Sequence, residues 1–139
     1  MRRMFLNGTA MTGQADHHAV EGAVLLGARR TAPAYRFVAV RDAFPGLLPV
    51  ADGGVSIVGE LYAMTEELLL DGLLPQEPAE LELATVELDN GEVVNAMQLR
   101  PERLRAGDRV VDIADLGGWR AYQAHLTANR ALPGRLGLG

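Results

Sequence analysis

The sequence predicts an α+β domain: a small mixed β-barrel carrying two or three short helices. Three observations predict it. Six or seven short apolar runs bounded by Gly, Pro, Asn and Asp read as strands. The helical segments do not alternate regularly with those runs, as a parallel βαβ sheet would require. An Asn90-Gly91 pair lies between two strand-like runs, the strongest hairpin signal in the chain. At 139 residues the chain suffices for one core. Residues 1–126 are expected to form that domain, with 127–139 a helix end and flexible tail.

In order along the chain, Arg3 to Asn7 reads as a first strand. It runs into the glycine-bounded loop Gly8-Thr9-Ala10-Met11-Thr12-Gly13, suited to presenting backbone N–H groups. A helical turn capped by Asp16 is expected up to Glu21, and strands at Val24 to Leu26 and Tyr35 to Val40. Asp42 to Leu48, holding Pro45-Gly46, reads as a loop. Val55 to Met64 is nearly apolar on both alternating faces, which suits a central covered strand. Thr65 then caps a helix whose first turn holds Glu66 and Glu67, whose buried side is Leu69, Leu70, Leu73 and Leu74, and which Pro75 stops.

Leu81 to Leu88 and Val93 to Leu99 form the hairpin arms, and a shift of apolar phase predicts a bulge near Leu83. Val110 to Ile113 reads as a last short strand. Trp119, Tyr122 and Leu126 mark the buried stripe of a final helix starting near Gly118, with Arg120 and Gln123 turned away.

Composition removes several mechanisms. The net charge of -5 and the lack of a long basic run argue against nucleic acid as a partner. No apolar stretch reaches the roughly 20 residues of a membrane helix, so the expected location is the cytoplasm. There is no Cys, all thirteen basic residues are Arg, and Ser56 is the one serine, placed within a strand-like run. Cysteine and serine nucleophiles, Walker-type phosphate loops and Schiff-base lysines are thereby unavailable or misplaced. His17 and His18 diverge on any regular element and His125 is distant, so no metal site is expected, nor any cofactor.

Several segments together carry a family resemblance. Asn7 to Gly13 resembles the opening motif of γ-glutamylcyclotransferase-like proteins. Thr31 to Arg36, Phe44 to Leu47, Ile57 to Tyr62, Val86 to Gly91 and Gly117 to Tyr122 resemble, in order, the allophanate hydrolase C-terminal domain. The resemblance covers residues 4 to about 126. It implies a γ-glutamylcyclotransferase-like mixed barrel with a pocket at one end, and a lyase or hydrolase of the allophanate/urea amide class. The ligand would be a compact carboxylated amide of the N-carboxylated urea type. The chain departs from the motif at Asn7, where the cyclotransferases carry an aromatic residue, and at Ala10, the slot of a loop histidine in hydrolase-type domains. It also lacks the Ser-Ser-Lys unit of the hydrolase's amidase domain. A non-catalytic module serving a separately encoded amidase, and a γ-glutamylamine cyclotransferase-type enzyme, therefore stay open as alternatives.

Glu60 is the first candidate catalytic group. It shares a strand face with Val58, Tyr62 and Met64, where desolvation would raise its pKa and suit it to acid or base work. A structural role, bonded to Arg36 or to backbone N–H groups, stays open beside it. Glu77, in Pro75-Gln76-Glu77-Pro78, is the alternative carboxylate that the cyclotransferase resemblance points to. Asn7, Gly8, Thr9, Ala10 and Met11 are the candidate anion-binding loop, and Tyr35, Arg36 and Tyr62 candidate ligand contacts. Homodimerisation through an exposed strand or the last helix is a further expectation.

Overall fold

The computed structural model of the chain describes residues 1–130. Eight strands form: β1 (Arg2–Leu6), β2 (Val24–Arg30), β3 (Tyr35–Val40), β4 (Phe44–Pro49), β5 (Val58–Met64), β6 (Leu81–Glu87), β7 (Val93–Leu99) and β8 (Val110–Asp112). One regular helix, α1 (Trp119–Arg130), closes the described chain; the expected tail beyond it lies outside the described residues.

The strands make a five-stranded sheet, ordered β2-β5-β1-β7-β6, and a three-stranded sheet, ordered β4-β3-β8. The larger sheet is mixed, because β1 runs antiparallel to β5 but parallel to β7. The two sheets do not close into one hydrogen-bonded cylinder, so "barrel" describes the α+β fold loosely. Isolated bridges join the two edges of the larger sheet and tie β3 of the smaller sheet to the chain just before β5. Thr31 pairs with Leu88, and Tyr35 with Val55. Thr31 is fully buried, and its hydroxyl donates to the Ala32 carbonyl and accepts the Ile57 N–H. That satisfies a polar group which would otherwise be costly inside the core. The main core runs between the sheets through Phe5, Phe37, Leu61, Met64, Leu69 and Trp119. No helix among the described residues is long and apolar enough to cross a membrane.

Four local expectations change. The segment read as a loop is the edge strand β4, paired with β3 from Val40↔Phe44 to Tyr35↔Pro49. An edge position tolerates Pro45, whose missing N–H would break a central ladder. The β6–β7 register runs without a shift from Leu81↔Leu99 to Glu87↔Val93, so no bulge exists at Leu83. The apolar phase changes because both faces of β6 are partly covered, with Leu81 packing against the Val40, Phe44 and Leu99 cluster. The irregularity lies instead in β2, between Leu25 and Gly27. At the hairpin only Gly91 takes positive φ, at 87°. The Gly91 N–H closes on the Leu88 carbonyl at 2.9 Å, a turn followed by a left-handed residue rather than a two-residue loop. The turn before β2 forms at His17–Val20, but Asp16 makes no side-chain cap bond to it.

The middle helical segment matters most for the site. Thr65 Oγ1 accepts the Leu68 N–H at 3.0 Å, the expected cap. The chain then widens into a π-type turn over Leu68–Leu73 and tightens over Leu74–Gln76. Leu69 and Leu73 are buried on one side, whereas Leu70 is 45% exposed, contrary to expectation. One residue on from Leu69, it falls off the stripe that 69 and 73 share at i, i+4. Pro78 disfavours helical backbone at Glu77, which lies extended at φ -76°, ψ 146°. The segment therefore stops with Glu77 redirected toward the first loop.

Candidate functional site

The first loop is held close under β4. A Cβ at Gly8 would meet Pro45 Cδ at 2.7 Å, so no other residue fits without moving that strand. The loop folds on itself through Met11 N–H to Gly8 O, Gln14 N–H to Met11 O and Asp16 N–H to Thr9 O. The Thr9 and Ala10 N–H groups have no acceptor among the described residues. His17 Nδ1 lies 2.9 Å from the Ala10 carbonyl, and its ring centroid is 6.1 Å from that of Tyr62.

Glu60 points from β5 at the far end of this loop. Its Oε1 accepts the Thr12 N–H at 2.7 Å and the Tyr62 hydroxyl at 3.1 Å, and Arg120 Nη2 is 3.5 Å from its Oε2. With the Tyr62 proton given to Glu60, the 2.7 Å contact between Tyr62 and Thr12 takes its proton from the threonine hydroxyl. Burial, ahead of the Glu60 charge, raises the Tyr62 phenol above its ordinary pKa and keeps that proton in place. Arg120 also donates to the Thr12 carbonyl at 2.6 Å. Glu60 is thus the centre of a clasp of Thr12, Tyr62 and Arg120, and the expected structural partner Arg36 is not in it.

Glu77 stands at the opposite side of the loop. With Asn7, Gly8, Thr9 and Ala10 it lines a cleft closed by Phe44 and Pro45, with a cavity of about 20 Å³, room for a single water. Its carboxyl has no hydrogen-bond or ion-pair partner among the described residues. Burial, and to a smaller extent the charge of Asp16, pushes its pKa up to about 7. The side-chain Nδ2 of Asn7, a residue of the same lining, is buried without an acceptor among the described residues. The residues lining the cleft therefore include an uncommitted carboxyl and, at Asn7, Thr9 and Ala10, N–H groups with no acceptor among the described residues.

The other candidates lie elsewhere. Tyr35 is buried and its hydroxyl accepts the Glu87 N–H at 2.9 Å. Arg36 forks onto both Asp112 oxygens, at 3.0 and 2.9 Å, and donates to the Gly53 carbonyl. Neither lines the Glu77 cleft. Met11 faces a different cavity, at the start of α1. Among the described residues no three His, Asp or Glu side chains gather as a metal site. Sequence reasoning missed Arg120, Asp16 and His17, because no local spacing links them to Glu60, Glu77 or Ala10.

The fold has known counterparts. A uropathogenic Escherichia coli-specific protein is 28% identical with a TM-score of 0.81, over 89% of this chain and 96% of that one. Kluyveromyces lactis allophanate hydrolase is 26% identical with a TM-score of 0.81; 90% of this chain matches 21% of that enzyme. The chain thus spans about a fifth of that hydrolase. An AIG2-like protein from Mus musculus shares the fold, at 22% identity and a TM-score of 0.57 over 76% of this chain and 80% of that one. No curated protein matches the sequence. Residues 2–124 match the family model described as the allophanate hydrolase C-terminal domain, and the chain belongs to that family.

Proposed function

We propose that this chain is a small-molecule-binding domain whose site is the cleft between Asn7–Ala10 and Glu77, and that it acts on a compact carboxylated amide of the N-carboxylated urea type. The observation that carries this reading is the Glu77 carboxyl: partner-free, beside unspent donors, and raised to about 7. A group half-protonated near neutrality can both give and take a proton. The N–H donors of Asn7, Thr9 and Ala10 supply what a carboxylate or an amide oxygen needs. The substrate class comes from the name of the K. lactis relative, an allophanate hydrolase. Glu60, occupied by its clasp, holds the loop in shape rather than moving protons.

The test is turnover of potassium allophanate by the wild type and by Glu77→Gln, with binding of oxamate, a stable carboxylated amide, followed by thermal shift. The expected result is retained oxamate binding and a fall in turnover of about 100-fold or more. Wild-type turnover in the Gln variant would contradict it. The narrowness of the cleft, with room for one water, favours a second reading as an accessory module for a separately encoded amidase. In that case neither oxamate nor allophanate shifts the melting temperature.

A further inference from the structure

We infer that α1 governs the Glu77 cleft: Arg120 and Gln123 grip the first loop and, through its backbone, set the direction of the Thr9 and Ala10 N–H groups. The ligand part of this inference rests on the function proposed above, whereas the grip stands without it. Arg120 and Gln123 share one face of α1 at i, i+3, beside the stripe that buries Trp119 and Tyr122. The helical pattern predicts both turned away from the core; they face the first loop.

The grip falls on Met11, Thr12 and Gln14. Arg120 Nη1 lies 3.7 Å from Met11 Sδ, and its Nη2 donates to the Thr12 carbonyl at 2.6 Å. The side-chain amides of Gln14 and Gln123 pair reciprocally, each Nε2 donating to the other's Oε1, at 3.1 and 3.0 Å. Two such bonds fix orientation as well as distance.

The gripped stretch is wired to Thr9 and Ala10, which line the Glu77 cleft. The Met11 N–H holds the Gly8 carbonyl at 3.2 Å, and the Asp16 N–H holds the Thr9 carbonyl at 2.8 Å. A carbonyl and the N–H of the next residue belong to one planar peptide unit. Holding the Gly8 carbonyl therefore aims the Thr9 N–H, and holding the Thr9 carbonyl aims the Ala10 N–H. The residues that hold them, Met11 and Asp16, bracket the stretch that α1 grips. A ligand that needs those two N–H groups as they stand must, by linkage, favour a docked α1.

The test uses the full-length protein with oxamate as the probe. Amide resonances of Thr9 and Ala10 are recorded without ligand, and the oxamate Kd is measured by NMR titration. Gln123→Ala leaves the net charge unchanged, so movement of those resonances reports geometry. In Gln123→Ala and in Arg120→Ala both resonances should move, and oxamate should bind at least about fivefold more weakly. Arg120→Lys, which keeps the charge and a donor, should recover most of the affinity. In the wild type, saturating oxamate should slow hydrogen exchange of the α1 amides by a similar factor. Unmoved resonances in both alanine variants overturn the inference, and so does an unchanged Kd beside moved resonances. A lower melting temperature with both readouts unchanged also overturns it, leaving α1 a structural brace. A wild type that does not bind oxamate defeats the cleft reading instead; moved resonances then uphold the grip and unmoved ones overturn it.

Discussion

Arg120 Nη2 sits 3.5 Å from Glu60 Oε2 and donates to the Thr12 carbonyl at 2.6 Å, so one guanidinium ties the last helix both to the central strand and to the first loop. The Glu60 side chain is 12% exposed and that of Arg120 46%, which places the pair between a surface and a buried ion pair. Glu60→Gln keeps an acceptor for the Thr12 N–H but loses the charge. We expect a loss of about 1–2 kcal/mol in urea unfolding, and a coupling to Arg120→Gln of up to about 1 kcal/mol in a double-mutant cycle. Full additivity of the two changes would mean that the clasp is not a unit.

The turn between β3 and β4 places two non-glycine residues in the left-handed region, Arg41 at φ 53° and Asp42 at φ 56°. Side-chain bonds hold it there: Arg41 to Glu80 and Asp108, and Asp42 to Arg109 and the Tyr122 hydroxyl. Asn adopts this backbone readily and still accepts from Tyr122, so Asp42→Asn should change stability by less than about 1 kcal/mol. Asp42→Ala keeps the strain and loses both contacts, at a cost of about 2–3 kcal/mol. Equal melting temperatures for the two variants would show that the bonds do not hold the turn.

Period and turn chemistry made much of the fold legible. β3 falls on the residues its alternation predicts, and Asn90-Gly91 marks the β6–β7 turn. β4 was hidden because Pro45-Gly46 signals a loop unless the strand is known to lie at an edge, which is a property of the whole sheet. Leu70 was misplaced because a leucine run does not reveal which of its members a π-type turn will turn outward. At the site, Glu60 was legible as a carboxylate on an apolar strand face, whereas Glu77 was reached only through the resemblance to the cyclotransferases. What separates them is tertiary: Arg120 and Thr12 come to Glu60 from distant segments, whereas Glu77 receives no hydrogen-bond or ion-pair partner among the described residues.

Glu77 also gives stability a pH signature. Its folded pKa, about 7, lies above the ordinary 4.5, so the folded state holds the proton more tightly than the unfolded chain between those values. Its contribution is therefore fully present below pH 4.5 and is lost as pH rises through about 7, by roughly 3 kcal/mol at most. Glu77→Gln cannot ionise. The variant should match the wild type at acid pH and melt higher than it above pH 7, as thermal unfolding across pH 4 to 9 would register. A variant less stable than wild type at every pH would instead make Glu77 a structural anchor.

The most direct test is a carbon-13 NMR titration of the Glu77 side-chain carboxyl, with and without oxamate. The account predicts a midpoint near 7 in the free protein. It also predicts displacement of that midpoint when oxamate enters beside Asn7–Ala10. A midpoint at the ordinary 4.5 that oxamate leaves untouched would contradict both the uncommitted carboxyl and the cleft it is proposed to serve.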